Sequence, residues 1–306
     1  MSLKKSLSAD SFLSRALLRA IGLRNHCGVR FGDNHIDIIR RNRVIRISKR
    51  HAAYFPDMVH YFDSYFDPVF PRVEGKREVV DYSQVRNHKF RDTGLEFELS
   101  SLPEETGALE GYFKWYRPAQ GDVVFDAGAY CGISVYHFSK MVGPSGHVCA
   151  FEPDVKNYPS LIRNIERHGL KNVTPVRVGL AGKNGTAAFH SEGSLGSGLA
   201  QDAARSSAGS VDEIETITLE EACQRYGIPS FAKVDIEGTE IDMLEAARPL
   251  LTANAIQFAF DTNHTVNGVL TFSAVERILS QCGYEVASSN SMGFMTTWAR
   301  KNLATG

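Results

Sequence analysis

Residues 123–132, with the sequence VVFDAGAYCG, give the clearest indication of the fold of this chain. Three apolar residues in a row are typical of a strand that is buried on both faces, as in the centre of a parallel sheet. Asp126 ends this strand, Gly128 and Gly132 follow with Gly-x-x-x-Gly spacing, and residues 133–141 have apolar side chains at helical spacing. Glycines let the backbone approach a ligand closely, and a helix start presents unpaired N–H groups. The stretch therefore predicts a nucleotide-type cofactor site, with a purely structural turn as the alternative.

Strand and helix patterns alternate regularly from residue 121 to the end of the chain. Short apolar segments separated by helical patterns predict further parallel strands at His147–Phe151, Val173–Leu180, Phe231–Val234 and Ala255–Phe260. Two more segments, Tyr284–Ala287 and Phe294–Ala299, predict a closing antiparallel hairpin. This order is typical of an α/β fold with a doubly wound, mostly parallel sheet and right-handed crossovers.

Residues 1–100 predict an α+β elaboration ahead of this Rossmann-like domain at 101–306. The elaboration reads as a helix, a β-hairpin with a basic tip and an aromatic-rich helix. Residues 1–50 contain twelve Lys and Arg against three Asp, which indicates either a surface that attracts anions or an ordinary solvated face. The first helix either packs on the domain or serves as a dimer arm, so a homodimer through the N-terminal region is one expectation.

A segment rich in Ser, Gly and Ala, Ser191–Ser210, interrupts the alternation of strands and helices. It predicts a mobile loop, and two interpretations stay open. The loop is either a lid over a site or a simple insertion.

Composition places the chain among ordinary globular proteins. Of its 306 residues 43% are hydrophobic and 23% are charged, which excludes disordered and fibrous classes. The net charge of −1 gives no general attraction to nucleic acid or membranes. Its five cysteines are widely spaced and form no C-x-x-C pair, which favours reduced thiols over disulfides or a zinc site. With no apolar run of about 18 residues and no secretory signal pattern, we expect a soluble, cytoplasmic protein.

The second predicted strand ends in Phe-Glu-Pro-Asp, which places Glu152 26 residues beyond Asp126. An acid at this point can accept hydrogen bonds from both ribose hydroxyls of an adenosine-containing cofactor. The turn after the first strand and the ends of the next strands supply the candidate cofactor-binding residues: Asp126, Gly128, Ala129, Tyr130, Gly132, Glu152, Pro153, Gly179, Leu180 and Asp235.

The glycine spacing discriminates between cofactors. A nicotinamide cofactor needs G-x-G-x-x-G, so that its pyrophosphate rests on the helix start. Here the single Gly-x-x-x-Gly, with Asp126 two residues before Gly128, suits a cationic sulfonium and an ammonium group better than a phosphate. An NAD(P)-dependent oxidoreductase of Rossmann type and a non-catalytic cofactor-binding protein stay as alternatives. We expect no nucleic-acid partner, because no Asn-Pro-Pro-Tyr segment or Pro-Cys nucleophile follows the fourth strand.

The fourth predicted strand is followed by Asp235-Ile-Glu-Gly238. In an open α/β sheet, ligands bind at the carboxyl ends of strands where the strand order reverses, and the first and fourth strands flank that point. Asp235 should therefore face the reactive end of the cofactor. Glu237 either caps the next helix or turns inward, and acids at a helix start are also common without any function.

Three segments resemble the signature blocks of the FkbM family of S-adenosylmethionine-dependent methyltransferases, in the family's order. They are FDAGAYCGISVYHF, AFEPDVKNYPSLIRNI and AKVDIEGTEIDMLEAA, and the resemblance runs from about Glu104 to about residue 263. It implies a class I methyltransferase with a seven-stranded sheet whose last strand is antiparallel. It also implies methylation of an oxygen, usually a hydroxyl on a sugar or a secondary metabolite.

The resemblance also implies roles for individual residues. Asp126, Gly128 and Gly132 would line the methionine part of the cofactor, and Glu152 would contact its ribose. Asp235 and Glu237 would lie beside the transferring methyl group. The chain departs from the family at Asp261-Thr-Asn-His264, where a glutamate is expected two residues before the histidine.

A hydroxyl acceptor must lose its proton during methyl transfer, so we predict a general base at the strand ends. The candidates for this base are His264 and Asp235, and the predicted catalytic residues are Asp235, Glu237 and His264. We expect Asp126 to lie beneath the turn, to order it and to balance the positive charge of the cofactor. We assign no metal ligands, although Asp235, Asp261 and Asn263 would bring oxygen ligands to adjacent strand ends.

Overall fold

The strand of the opening stretch lies at the centre of a seven-stranded sheet in the computed structural model. The structure describes residues 11–103, 108–194, 196–199, 210–291 and 294–302. These form two compact units, one with residues 11–103, 192–194 and 210, the other with 108–191, 196–199 and the described residues from 211 onwards. Within the described ranges, no helix is long and apolar enough to cross a membrane.

The first unit is a mixed α/β structure in which helices accompany a five-stranded sheet. Its elements in chain order are α1 Phe12–Arg24, β1 Gly28–Phe31, β2 His35–Arg40, β3 Arg43–Ser48, a 3₁₀ segment Lys49–Tyr54, α2 Phe55–His60, α3 Phe62–Phe66, β4 Arg72–Glu74, β5 Arg77–Tyr82, β6 Arg86–Lys89 and β7 Glu96–Leu99. The sheet order is β1-β2-β3-β5-β4, and β6 pairs with β7 in a separate hairpin.

The basic hairpin tip between β2 and β3 is largely neutralised by acids of its own unit. Arg43 contacts both Asp63 and Asp67 of the α3 region, and its guanidinium lies 4.0 Å from the Phe66 ring centroid. The buried Asp37 likewise accepts hydrogen bonds from Arg30 and Arg46. Acidic side chains of the same unit therefore pair with Arg30, Arg40, Arg43 and Arg46.

The second unit contains the main sheet, its helices and two smaller groups of strands. Its elements are α4 Ala108–Tyr112, β8 Val123–Ala127, α5 Ile133–Val142, β9 His147–Phe151, α6 Tyr158–Arg167, β10 Val173–Val176, β11 Gly179–Leu180, β12 Gly185–Ser191, β13 Gly198–Leu199, β14 Ser210–Ile217, α7 Leu219–Tyr226, β15 Phe231–Val234, α8 Glu240–Ala246, α9 Arg248–Ala253, β16 Gln257–Asp261, β17 Thr265–Val266, β18 Val269–Leu270, α10 Phe272–Gln281, β19 Glu285–Ser291 and β20 Phe294–Arg300.

The order of the main sheet is β10-β9-β8-β15-β16-β20-β19. The five strands from β10 to β16 are parallel, whereas β20 runs antiparallel to both of its neighbours. This confirms the predicted α/β class, with a mostly parallel seven-stranded sheet and an antiparallel last strand. The order reverses between β8 and β15, which is where such sheets bind ligands.

Apolar residues cover both faces of the main sheet, as a doubly wound fold requires. Phe125 packs on one face with buried residues of α7, α8 and α10. Its neighbour Val124 packs on the other face with residues of α5 and α6, since successive side chains of a strand point to opposite sides. Both side chains are fully buried.

Several predicted elements differ in detail from the structure. The predicted third strand is divided, because β10 joins the main sheet whereas β11 joins a small sheet of order β11-β14-β12-β13. The helix predicted after the fourth strand is also divided, into α8 and α9, with Pro249 in the first turn of α9. Of the proposed lid at Ser191–Ser210, residue 195 and residues 200–209 lie outside the described ranges, and Gly198–Leu199 forms β13.

Candidate functional site

The glycine turn after β8 packs directly against the end of β15. A Cβ atom on Gly128 would lie 1.9 Å from the backbone oxygen of Asp235, and its φ of 80° is also one that L side chains rarely adopt. Gly132 precedes the first residue of α5 with a φ of 87°. Glycine is thus required at position 128 by the close approach of two backbones.

The N–H groups of this turn are already used within the protein. Gly128 and Ala129 both donate to the carbonyl oxygen of Phe151, at 3.0 Å each. Tyr130 donates to Oε2 of Glu152 at 2.8 Å. The turn therefore differs from a phosphate-binding loop, whose N–H groups point at the ligand.

Asp126 lies in β8, two residues before Gly128, and is fully buried. Its Oδ2 accepts a hydrogen bond from Ser134 at 2.5 Å, and its Oδ1 lies 3.3 Å from Nζ of Lys233. Lys233 also donates to the carbonyl oxygen of Gly128 at 2.8 Å. Lys233 thus connects Asp126 to the turn and offsets its charge, and an ordering role for Asp126 stays a prediction.

Glu152 is buried at the end of β9 and binds two backbone N–H groups. Oε2 accepts from Tyr130, and Oε1 accepts from Asp154 at 2.9 Å. Burial, reinforced by the nearby charge of Asp154, raises the pKa of Glu152 to about 8. Each carboxylate oxygen has a second lone pair, so the side chain keeps the capacity to accept a hydroxyl.

The structure also locates three further candidate cofactor residues, Pro153, Gly179 and Leu180. Pro153 follows it directly, and Pro153 Cγ lies 3.8 Å from the Cβ position of Gly179. Leu180 is buried in the core that contains Phe151, so its side chain is a packing residue. The cofactor-binding role of these residues stays a prediction.

The polar residues that follow β15 and β16 meet at one imidazole ring. Nε2 of His264 lies 3.5 Å from Oδ1 of Asp235 and 3.5 Å from Oε1 of Glu237. Its Nδ1 lies 2.8 Å from Oε1 of Glu240, a hydrogen bond on the opposite side of the ring. Glu237 has a φ of 59°, which is uncommon for a residue with a side chain and typical of functional sites.

Glu240 was not predicted as a site residue, yet it holds this group together from the first residue of α8. It is fully buried, and besides His264 its Oε1 lies within hydrogen-bonding distance of the N–H groups of Ile236 and Gly238. Its spacing of three residues after Glu237 was visible in the sequence, but the partner His264 is 24 residues away.

Burial and charge shift the pKa values of these groups strongly. Burial acts to lower the pKa of His264, but the charges of Glu240 and Glu237 outweigh it and hold the pKa well above 6.5. Burial raises the pKa of Asp235 to about 7 against the opposing charge of Lys233, and burial also raises the pKa of Asp261. The raised pKa of His264 favours its protonated form, which opposes its predicted role as a general base.

Asp261 lies close enough to Asp235 for its charge to raise the pKa of that carboxyl, and it also has contacts with the chain that follows β16. Oδ1 of Asp261 accepts from the N–H of Asn263, and Oδ1 of Asn263 accepts from the N–H of Met295. Among the His, Cys, Asp and Glu residues that the structure describes, Asp235, Glu237 and His264 form a group of three whose ligand atoms lie close enough to share a metal ion.

Lys233 is the second residue that sequence reasoning missed. It pairs with Asp126 across adjacent strands, and its Nζ lies 3.8 Å from Oδ2 of Asp235. The signal was a lysine within an otherwise apolar strand, Phe-Ala-Lys-Val. Lys233 thereby links the glycine turn to the acidic group.

Comparisons with known proteins were made for the sequence and for the fold. The sequence pattern of the methyltransferase FkbM domain matches residues 126–286, just over half of the chain. No protein in a search of curated proteins matched significantly.

Three solved structures illustrate the likeness of the fold. A methyltransferase FkbM from Methylobacillus flagellatus KT is 18% identical, with a TM-score of 0.46 over 61% of this chain and 46% of that protein. A SAM-dependent methyltransferase from Aquifex aeolicus is 16% identical, with a TM-score of 0.39 over 63% of this chain and 88% of that one. Fibrillarin from Aeropyrum pernix, with natively bound S-adenosyl-L-methionine, is 12% identical, with a TM-score of 0.39 over 89% and 97%.

The chain therefore spans less than half the length of the Methylobacillus protein. The assignment rests on the domain match, which begins at Asp126 and contains the glycine turn, Glu152, Asp235 and His264. It agrees with the strand order of the main sheet. This chain belongs to the FkbM family of S-adenosylmethionine-dependent methyltransferases.

Proposed function

We propose that this chain transfers the methyl group of S-adenosylmethionine to a hydroxyl oxygen on a sugar or a secondary metabolite. The observation that carries the proposal is the group of Asp235, Glu237 and His264 at the carboxyl ends of β15 and β16. It follows the switch in strand order and adjoins the glycine turn, since the Cβ position of Gly128 lies 1.9 Å from the backbone oxygen of Asp235.

The residues around the turn fit this cofactor better than a dinucleotide. The N–H groups of Gly128, Ala129 and Tyr130 have acceptors within the protein, so they form no cradle for a pyrophosphate. Glu152 supplies carboxylate oxygens for the ribose hydroxyls, and the acids beyond β15 suit a positively charged ligand. Asp126 supports the turn from below rather than contacting the positive charge.

The bound cofactor supplies a methyl group that is attached to a positively charged sulfonium. After the transfer, the rest of the cofactor is a neutral thioether. The chain must align the acceptor oxygen with that methyl group, and positioning can account for much of the rate enhancement. The side chains of Asp235 and Glu237 are 27% and 22% exposed, so an acceptor can reach them. The hydroxyl proton must pass to a group at this edge, for which His264 and Asp235 were the predicted candidates.

Methyl transfer to a panel of hydroxylated sugars and secondary metabolites, with S-adenosylmethionine labelled in its methyl group, tests the proposal. We expect the label in a product whose new methyl group is bonded to oxygen, as established by NMR. His264→Ala and Asp235→Asn should both slow the transfer, whereas Asp126→Ala should lower cofactor affinity by disordering the turn. A label found on nitrogen or carbon would contradict the assignment of the acceptor atom.

We also propose that the protein works in the cytoplasm and forms a homodimer through its N-terminal region. All five cysteines are free and buried, which agrees with a reducing compartment.

Phe12, Leu13 and Leu23 of α1 are 81%, 79% and 73% exposed, which supports a role for this helix in association. Sedimentation analysis should give the mass of a dimer, and a monomer at all concentrations would contradict the homodimer.

A further inference from the structure

The distances between Nε2 of His264 and the nearby carboxylate oxygens are typical of ligand atoms that bind the same cation. The ligand atoms of Asp235, Glu237 and His264 all lie within 4.8 Å of one another, and the two distances from Nε2 are 3.5 Å. These distances exceed the usual 2.7–3.2 Å of an N–H···O hydrogen bond. Two donor atoms that each lie about 2.1 Å from a metal ion are about 3.4 Å apart at a tetrahedral angle and about 3.0 Å apart at an octahedral angle.

Glu240 fixes the orientation of the imidazole that such a site requires. Its carboxylate accepts the Nδ1 proton of His264, so Nε2 faces Asp235 and Glu237. Metal-binding histidines commonly donate their other ring N–H to a carboxylate in this way, which sets the tautomer and strengthens the ligand.

Three carboxyl groups surround the imidazole of His264, an arrangement that favours the binding of a cation. Glu240 is fully buried, and its second oxygen, Oε2, has no hydrogen-bond partner among the described residues. Asp235 and Glu237 add two further carboxylates around the single imidazole. Lys233 lies closer to Asp126 than to Asp235 and donates to the turn, so it offsets this charge only in part.

We propose that Oδ1 of Asp235, Oε1 of Glu237 and Nε2 of His264 bind one divalent transition-metal cation, with Glu240 as a positioning residue. Two carboxylates and one imidazole suit Mn²⁺, because carboxylates favour hard cations whereas imidazole favours transition metals over Mg²⁺ and Ca²⁺. The site replaces the oxygen-only set of Asp235, Asp261 and Asn263 that the strand ends suggested.

The site would act in the proposed reaction, and this consequence alone rests on the proposed function. A hydroxyl oxygen bound to the cation loses its proton to water more readily, because the cation stabilises the alkoxide. The O–C bond then forms while the S–C bond breaks, and both electrons of the broken bond go to sulfur. Asp235 and Glu237 would in that case hold the cation rather than accept the proton.

Titration of the chelator-stripped, full-length protein with Mn²⁺ alone tests the site, with free Mn²⁺ measured by EPR. We expect one bound Mn²⁺ per chain, with an affinity at least tenfold lower in Asp235→Asn and Glu237→Gln. Glu166→Gln, which changes an exposed glutamate on α6, is the matched control and should leave the affinity unchanged. The absence of saturable binding, or equal affinities in all variants, would overturn the proposal.

Glu240→Gln tests the positioning role separately. This variant keeps an acceptor for the Nδ1 proton but removes the charge, so we expect Mn²⁺ affinity to fall by about tenfold. Pulsed EPR should still show a nitrogen coupling in Glu240→Gln and lose it in His264→Ala, whereas a merely structural change would leave the coupling in both. Circular dichroism confirms that each variant is folded. Displacement of Mn²⁺ by an equal concentration of Mg²⁺ or Ca²⁺ would overturn the choice of a transition metal.

The two proposals can fail independently. Methyl transfer that survives complete chelation, together with no Mn²⁺ binding, overturns the metal site and leaves the methyltransferase function intact. Mn²⁺ binding that depends on Glu237 and His264 supports the site even if none of the tested acceptors is methylated.

Discussion

Asp126 and Lys233 form a buried ion pair whose two partners come from adjacent strands. Asp126 is fully buried and Lys233 is 2% exposed, so neither charge is solvated by bulk water. Burial raises the pKa of Asp126, and the attraction of Lys233 opposes this shift. Such a pair orients the turn through the bond from Lys233 to the carbonyl oxygen of Gly128.

Removing the lysine should therefore destabilise the fold more than removing the whole pair. A buried charge that has lost its partner costs about 3–5 kcal/mol, so Lys233→Met should lower the free energy of unfolding by about that amount. Adding Asp126→Asn to Lys233→Met should recover a large part of the loss. Urea denaturation of both single variants and the double variant measures this coupling, and strictly additive effects would contradict it.

Glu152 predicts a specific dependence of stability on pH. Burial raises its pKa from 4.5 to about 8, so the folded protein retains a proton that the unfolded chain has lost. The stabilisation from this proton is complete below about pH 4.5 and is lost as the pH rises through about 8. The wild type should thus lose more stability than Glu152→Gln between about pH 5 and about pH 8. Parallel curves of melting temperature against pH would show that Glu152 is ionised throughout.

At the scale of elements, the contact between the glycine turn and the end of β15 fixes the shape of the site. Gly128 should be far less tolerant of alanine than Gly169, whose φ is also positive but whose Cβ would meet nothing within 4 Å. Both variants share the backbone strain, but only Gly128→Ala also forces two backbones apart. We expect Gly128→Ala to cost about 1–3 kcal/mol more than Gly169→Ala. Equal unfolding free energies would mean that the two backbones separate easily.

The centre of the main sheet could be predicted from the sequence, because its strands are mostly buried and mostly apolar, namely β8, β9, β15 and β16. The strands β4 and β5 gave no such signal, since their charged residues pair with one another, as Arg72 does with the buried Asp81. The strand β14, with the sequence SVDEIETI, leaves half of its residues exposed, so its pattern resembles that of a loop.

The site divides in the same way. Asp126, Glu152 and Asp235 could be predicted because each directly follows or ends an apolar strand, which places it at the carboxyl edge of the sheet. Lys233 and Glu240 could not be assigned roles, because their partners are set by strand register and by a contact across 24 residues. The state of His264 likewise depends on the carboxylates that surround it in the fold.

In the molecule as a whole, the match to the family lies almost entirely in one of the two units. The family match lies within residues 126–286 and therefore in the second unit, apart from the short segments that the first unit takes from the loop. Residues 11–103 lie outside the match. They contain the five-stranded sheet and the arginine–aspartate contacts of the first unit.

Calorimetric titration with S-adenosylmethionine, alongside NAD and NADP, tests whether the site binds S-adenosylmethionine rather than a dinucleotide. We predict that the wild type binds one S-adenosylmethionine per chain and neither dinucleotide, because the N–H groups of the turn are already bonded within the protein. Glu152→Ala should bind S-adenosylmethionine at least tenfold more weakly, since it removes the carboxylate proposed to contact the ribose. Binding of a dinucleotide without any binding of S-adenosylmethionine would contradict the account.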